Sequence, residues 1–367
     1  MKSLFRLKRL WLLLLAPAAF FLSLAASADP GFAERYAVTV YPVLSRGVNR
    51  ITSLFPFSLA EIFVFLFFLG VILYFIRYTV RIIRGKGKRL HTAAKGLLNL
   101  LCLAGVLYFV YTLSCGINYS RYTFSQTCGL EVKPSSKEEL IGLCSELAEK
   151  VNVLRNEVQT DGKSVMKLSA DQYNTAKQAQ AAFDEIGKKY PLLQPGYGPP
   201  KPLVCSRLLS YCDITGIFFP FTFEANINAD VPHYSIPLTM CHELSHLRGY
   251  MREDEANFIG YLVCRNSSSA DFRYSGYMTA FIYASNALYG TDSGAAKQVY
   301  AKLSSGVLTD LSDNSAYWKQ FEGPVAQVSS SVNDTYLRAN KQQDGVKSYG
   351  RMVDLLLAEY RAEQQGK

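Results

Sequence analysis

The chain has 367 residues, with 39 Lys+Arg against 30 Asp+Glu and a formal charge of +9. Nearly half of it is apolar (49%) and only 19% is charged, which excludes a mainly disordered chain and a single compact water-soluble domain. A basic surplus of this size points to nucleic acid or an anionic membrane surface until it is divided by position. Lys2, Arg6, Lys8 and Arg9 stand in residues 1–10, and Arg77, Arg81, Arg84, Lys86, Lys88, Arg89 and Lys95 in residues 77–95, with no acid in either stretch. Taking these eleven from 39 leaves 28 basic residues against 30 acidic ones. No nucleic-acid module, phosphate loop, dinucleotide fingerprint or serine elbow is present, so no nucleic-acid partner is expected.

The N-terminal segment 1–28 ends in an uncharged run, Leu10 to Ala28, rich in Leu, Phe and Ala. It is long enough to cross a bilayer. Its basic start and its Ala26-Ser27-Ala28 end also fit a cleaved secretory signal. Residues 58–76 and 96–116 read as two further transmembrane helices, the first with one acid, Glu61, near its end. The positive-inside rule keeps residues 1–9 and the basic loop 77–95 in the cytoplasm. The intervening loop 29–57 and the whole of 117–367 then face outward. In loop 29–57, Pro42, Pro56, Arg35, Arg46 and Arg50 among apolar residues suggest a helix lying on the membrane surface or against the outer domain. The expected location is the plasma membrane, multi-pass, with the lipid bilayer as one partner.

The remaining 250 or so residues suffice for one domain with its own core. Lys133 to Gln159 predicts an amphipathic helix. Ala170 to Lys189 predicts a second, with Ser169 as N-cap and Gln172 as its partner. Residues 191–202 hold prolines and glycines enough for an extended linker. Leu203 to Asn228 turns to β-branched and aromatic residues, so short strands belong there. The rest is helical. The fold class is mainly α with a small β component. Six cysteines lie in this domain, and Cys205 with Cys212 and Cys241 with Cys264 are the first pairs to consider for disulfides, against buried thiols.

The chemistry concentrates in His242-Glu243-Leu244-Ser245-His246, which holds two of the chain's four histidines. On a helix, residues four apart share a face. His242 and His246 can thus ligate one Zn²⁺, with Glu243 beside the metal's open position as general base. Zinc needs a third ligand. Gly249 fits the metzincin continuation, but position 252 is Arg, where that pattern requires His. A carboxylate from the next helix, Glu253-Asp254-Glu255-Ala256-Asn257, is the remaining source; Glu255 is the first choice and Glu253 the alternative.

Together, Cys241 to Gly249 and Glu253 to Asn257 resemble a family of uncharacterised bacterial membrane proteins, mostly of Gram-positive bacteria. The likeness extends to Pro56-Phe57-Ser58, Glu224-Ala225-Asn226, Asn333 to Leu337 and Ser348-Tyr349-Gly350. The zinc half also resembles gluzincin peptidases of the prenyl-protein and heat-shock membrane peptidase group. That resemblance implies a zincin-like outer domain with Glu255 as metal ligand. Its orienting Asp falls on Asn257, a departure that leaves a hydrogen-bonding group without charge.

The reaction this implies is zinc-assisted hydrolysis of a peptide or protein substrate. Candidates for stabilising the oxyanion are His233, Tyr234 and Tyr349. Phe221 to Asn228 could form a strand edge that holds an extended peptide, with Glu224 and Asn226 at the cleft. The alternative readings are a zinc-stabilised binding or scaffold protein with little hydrolysis, and a metal-free receptor.

Overall fold

The structure is a computed structural model that describes residues 8–85 and 87–366. Lys2 and Arg6 of the first basic cluster, and Lys86 of the second, lie outside the described residues. Three helices are long and apolar enough to cross a membrane: Arg9–Ala28, Leu59–Arg84 and Arg89–Ser114. The first contains α1 (Leu15–Ala28), and the other two are α4 (Leu59–Arg84) and α5 (Arg89–Ser114). Both α1 and α4 pack against α5.

Between α1 and α4 lie two helices, α2 (Pro30–Thr39) and α3 (Tyr41–Thr52). Asp29 caps α2, its carboxylate accepting from Gly31 N at 2.8 Å. Neither helix is a loose loop. Glu34 forms a bidentate pair with Arg121, at 2.8 and 2.9 Å. Asn49 donates to Phe223 O and accepts from Gly198 N, and Ser45 bonds the Tyr197 hydroxyl. Residues 29–57 are therefore built into the domain that follows α5.

That domain is mostly helical. It runs through α6 (Phe124–Cys128), α7 (Lys137–Arg155), α8 (Gln172–Lys189) and α9 (Ser206–Tyr211) to α10 (Ile236–Leu247) and α11 (Glu253–Arg265). It continues with α12 (Ala270–Thr291), α13 (Ser293–Tyr300), α14 (Ser305–Lys319), α15 (Pro324–Ala339) and α16 (Met352–Gln364). The start of α7 is set by a capping box between Ser136 and Glu139. The cap of α8 is Asp171 and not Ser169. Ser169 instead donates through both N and Oγ to Asp271, and Asp171, one residue before α8, is positioned to accept from Asn174 N.

The β component is small. Strands β1 (Gln159–Thr160) and β2 (Met166–Lys167) form a short hairpin. The second sheet has the order β3 (Lys201–Pro202), β5 (Glu224–Ile227), β4 (Gly216–Phe219), with β3 parallel and β4 antiparallel to β5. The edge strands are thus β3 and β4, and the 221–228 segment supplies the fully buried central strand. Strand β3 covers its second edge at Asn226 and Ile227, and α10 packs against it.

The start of α4 is stapled to this sheet. Glu224 accepts from the first free helix amides, Leu59 N at 3.2 Å and Ala60 N at 2.7 Å, and pairs with buried Lys201. Lys201 also donates to Thr52 O and Phe57 O. Glu61 takes Val204 N and Cys205 N. The negative ends of two side chains thus sit where the helix dipole is positive. All eight cysteines are free thiols, and Cys241 and Cys264 meet as buried neighbours across the α10–α11 contact without a disulfide.

Removing one partner of a buried ion pair leaves an uncompensated charge and costs about 3–5 kcal/mol. Glu224→Ala should therefore lower the thermal unfolding midpoint of the detergent-solubilised protein sharply. Glu131→Ala, which loses only an exposed pair with Lys133, should stay within about 0.5 kcal/mol of the parent.

Candidate metal centre

Helix α10 is buried along its whole length. It packs against α11, α12, β4 and β5. The approach to α11 is close because Gly260 lies against the α10 backbone: a Cβ there would stand 3.3 Å from His242 N. His242 and His246 project from the same face of α10, with their Nε2 atoms 3.0 Å apart.

The outer nitrogen of each ring is already committed. Nδ1 of His242 lies 2.8 Å from Asn257 Oδ1, and Nδ1 of His246 lies 2.7 Å from Tyr250 O. The Tyr250 carbonyl can accept only, so in the neutral imidazole, the form that a metal binds, Nδ1 of His246 carries the proton and Nε2 presents the lone pair. Asn257 Oδ1 sets the same tautomer on His242, while its amide Nδ2 donates towards Tyr283 OH and Tyr349 O, both at 3.4 Å.

Tyr250 reaches His246 because the chain reverses after α10. Gly249 adopts φ +87° and Tyr250 N returns to Ser245 O. This left-handed helix end suits glycine, and a Cβ at 249 would also press on the Tyr41 ring at 3.2 Å. Arg121 secures the same turn, donating to Gly249 O and covering the Tyr250 ring at 4.3 Å.

The third donor is Glu253. Its Oε2 lies 3.2 Å from Nε2 of His242 and 3.5 Å from Nε2 of His246. His242, His246 and Glu253 form a buried group that could hold a metal ion. Glu255, the first choice from sequence, is not part of it. It accepts from Phe124 N at 2.9 Å and lies near Arg252. The reason is helical geometry. Glu253 and Asn257 are four residues apart and share the face turned to α10, whereas Glu255 is two residues on, about 200° round the helix. Burial pushes the Glu255 carboxyl up to about 7, with Asp254 adding to the shift.

Three lone-pair donors facing one point fit a metal. Tetrahedral zinc with arms of about 2.05 Å places its ligand atoms about 3.3 Å apart, close to the 3.0, 3.2 and 3.5 Å found here. The buried Oε2 of Glu253 otherwise has no hydrogen-bond donor. The electrostatics agree. Burial alone would lower the His246 pKa, but the Glu253 carboxylate raises it to about 9. Burial alone would raise the Glu253 pKa, but the two histidines bring it down to about 2. Both shifts favour positive charge in the pocket.

Glu243 is buried beside the pair, and burial raises its pKa despite the two histidines. A backbone hydrogen bond from Phe218 favours its charged form. Edge strand β4 therefore lies directly over this carboxylate. The fit needs glycine at 216: a Cβ there would stand 2.5 Å from Glu243 Oε1 and 2.8 Å from Thr239 Cγ2.

The other sequence candidates separate. Tyr349 stands close enough for the charges of Glu253 and Glu243 to add to the upward shift that burial gives its hydroxyl. Its hydroxyl is also 3.5 Å from Asn333 Nδ2. His233 does not join the site: its Nδ1 accepts from Leu168 N at 3.2 Å, beside β2. Tyr234 is core, next to Asp310 and Asp313. Glu224 is bound to Lys201 and α4, and Asn226 donates to Ile217 O and Glu224 O within the sheet. Sequence reasoning missed Tyr250, whose backbone carbonyl carries no residue signal. It also missed Gly216, whose role is visible only once α10 lies under β4.

The chain belongs to the family described as Protein of unknown function (DUF3810), whose profile matches residues 36–357. No curated protein and no solved structure matches the chain.

Two outcomes check this centre. Glu253→Gln should strip most bound metal from purified protein, while Glu255→Gln should leave metal content near parental; the reverse ranking refutes the ligand set. Without metal, His246 holds its proton up to about pH 9, so a binding metal must displace it. Zinc affinity in chelator-buffered titrations should therefore rise about tenfold per pH unit below that value and level off above it.

Proposed function

We propose that the chain is a membrane-anchored zinc metallopeptidase, gluzincin-like in its ligand set, whose domain lies outside the cell. The observation that carries the reading is the convergence of His242, His246 and Glu253 with Glu243 alongside. Two histidines and a carboxylate leave a fourth position open, which is the donor set of catalytic rather than structural zinc. Zinc held there supplies Lewis-acid activation of a water and of a scissile carbonyl.

The chain's own residues do the rest. Glu243 takes a proton from the attacking water and delivers it to the leaving amine nitrogen. Its raised pKa, caused by burial, brings it nearer to a neutral working pH. Tyr349 keeps its phenolic proton throughout the neutral range, because burial and the two nearby carboxylates raise its pKa. It is the residue suited to donate to the developing oxyanion. Asn257 and Tyr250 hold the two imidazoles in one tautomer and one orientation. Edge strand β4 offers backbone groups to an extended peptide.

The basic loop between α4 and α5 supports a cytoplasmic position for that loop. The contacts of residues 29–57 with the domain support placing both on the opposite side. The N-terminus is then cytoplasmic.

Glu243→Gln is the decisive variant. Removing a general base lowers turnover by about 10²–10⁴ and leaves His242, His246 and Glu253 intact. Metal content should be unchanged, and a defined set of new protein termini present in parental cells should disappear. Unchanged termini together with an unchanged cellular phenotype would favour a zinc-stabilised binding protein instead.

A further inference from the structure

Helix α3 buries polar side chains and exposes apolar ones. Tyr41, Ser45, Asn49 and Thr52 recur at helical spacing and are buried against the domain. The opposite face presents Val43, Ile51 and, just past the helix, Leu54, exposed at 72, 62 and 79%, with exposed Arg50 among them, a basic side chain long enough to reach a headgroup layer. A helix on a water-soluble domain turns its apolar side inward. This one turns it outward, in a segment that joins two membrane-length helices. Such a face rests on a bilayer. The Tyr41 hydroxyl on the inner face reaches the carbonyls of His246 and Leu247 at 3.3 and 3.2 Å. The C-terminal end of α10 is therefore separated from the bilayer by about one helix diameter, ~10 Å.

Two further contacts place the site at the same height. Cys115, which directly follows α5, touches Met251, sulfur to sulfur, at 3.6 Å. Met251 is two residues from Glu253, a span of at most about 7 Å. At the other end, Phe219 and Phe221, around the turn after β4, pack on Phe63 in the second turn of α4, with ring centroids 5.6 and 6.1 Å apart. Strand β4 thus runs from Gly216 beside Glu243 to a membrane helix, and among the described residues no strand pairs with its outer edge.

We infer that the site takes the extended juxtamembrane stretch of a membrane-anchored polypeptide, paired along β4 with its anchor beside α4. The inference rests on the peptidase reading. A site held only ~10 Å from the bilayer, the thickness of α3, lies within reach of the first few extended residues outside a membrane helix, which rise about 3.3 Å each, and is too low for a folded domain standing on a membrane anchor. A strand leaving the bilayer beside Phe63 and following β4 meets Glu243 within about four residues of the membrane surface.

The test uses the full-length protein in zinc-containing proteoliposomes, with Glu243→Gln as control. The probe is a library of single-helix reporters carrying a randomised stretch of about 12 residues directly outside the helix. It is compared with the same library behind a Gly/Ser spacer of about 30 residues and with the stretch free in solution. Cut positions are read by mass spectrometry. We expect Glu243-dependent cuts in the first library, within about eight residues of the helix and about tenfold or more faster than in the other two. The spacer library shares the two-dimensional concentration of the first, so the difference between them isolates height above the bilayer. Glu243-dependent cutting at equal rates with or without the spacer would overturn this inference and leave the hydrolase reading standing. No Glu243-dependent cut in any library would overturn the hydrolase reading and this inference with it.

Discussion

Three electron-pair donors face one point inside a buried pocket, and without a cation they repel one another. That constraint organises the domain. The donors are held by groups that are themselves held: Asn257 for His242, the Tyr250 carbonyl for His246, and the first turn of α11 for Glu253. In a low-dielectric interior such unpaired donors are costly. A cation held by this group would therefore add to the stability of the fold. In the absence of metal, a proton on His246 fills the role, which is why the Glu253 carboxylate holds that proton to about pH 9. The linkage has a definite sign. The contribution of protonated His246 to stability is complete below its unfolded pKa near 6.5 and is lost as pH rises through about 9.

The N-terminal segment completes the domain. Glu34 pairs with Arg121, which in turn braces Gly249 and Tyr250. Tyr41 donates to the His246 and Leu247 carbonyls at the end of α10. Both act on the reversal that delivers the Tyr250 carbonyl to His246. A segment that precedes the second apolar helix thus braces the His242, His246 and Glu253 group some 200 residues later in the chain, and the apolar helices become part of the same folding unit. The Glu224–Lys201 pair does the equivalent for the sheet, tying β5 and β3 to the start of α4.

Several features were legible from residue order because they depend on local periodicity. Apolar runs of bilayer length, the basic loop and the four-residue spacing of His242 and His246 are properties of consecutive residues. The same rule also distinguishes Glu253 from Glu255: Glu253 and Asn257 are four apart, so an orienting group at Asn257 and a ligand at Glu253 share a face. Motif similarity favoured Glu255; helical phase only separates the two faces, and the contact of α11 with α10 brings the Glu253 face to the histidines. The cap of α8 shows a related competition. Ser169 and Asp171 are both good caps, and Asp271 from a distant helix removes Ser169 from the choice.

By itself the sequence determined the three apolar helices, the helical class of the domain, and the pairing of two imidazoles with a glutamate on one helix, because each is written in spacings of a few residues. Only the tertiary structure decided which carboxylate joins them, which segment is the central strand, and how closely the pocket sits to the ends of the apolar helices. Those outcomes depend on how α11 is rotated against α10, on β3 covering β5, and on α3 turning its polar face inward. Each is a contact between segments far apart in the chain, where burial and hydrogen-bond satisfaction, and not local propensity, select the arrangement.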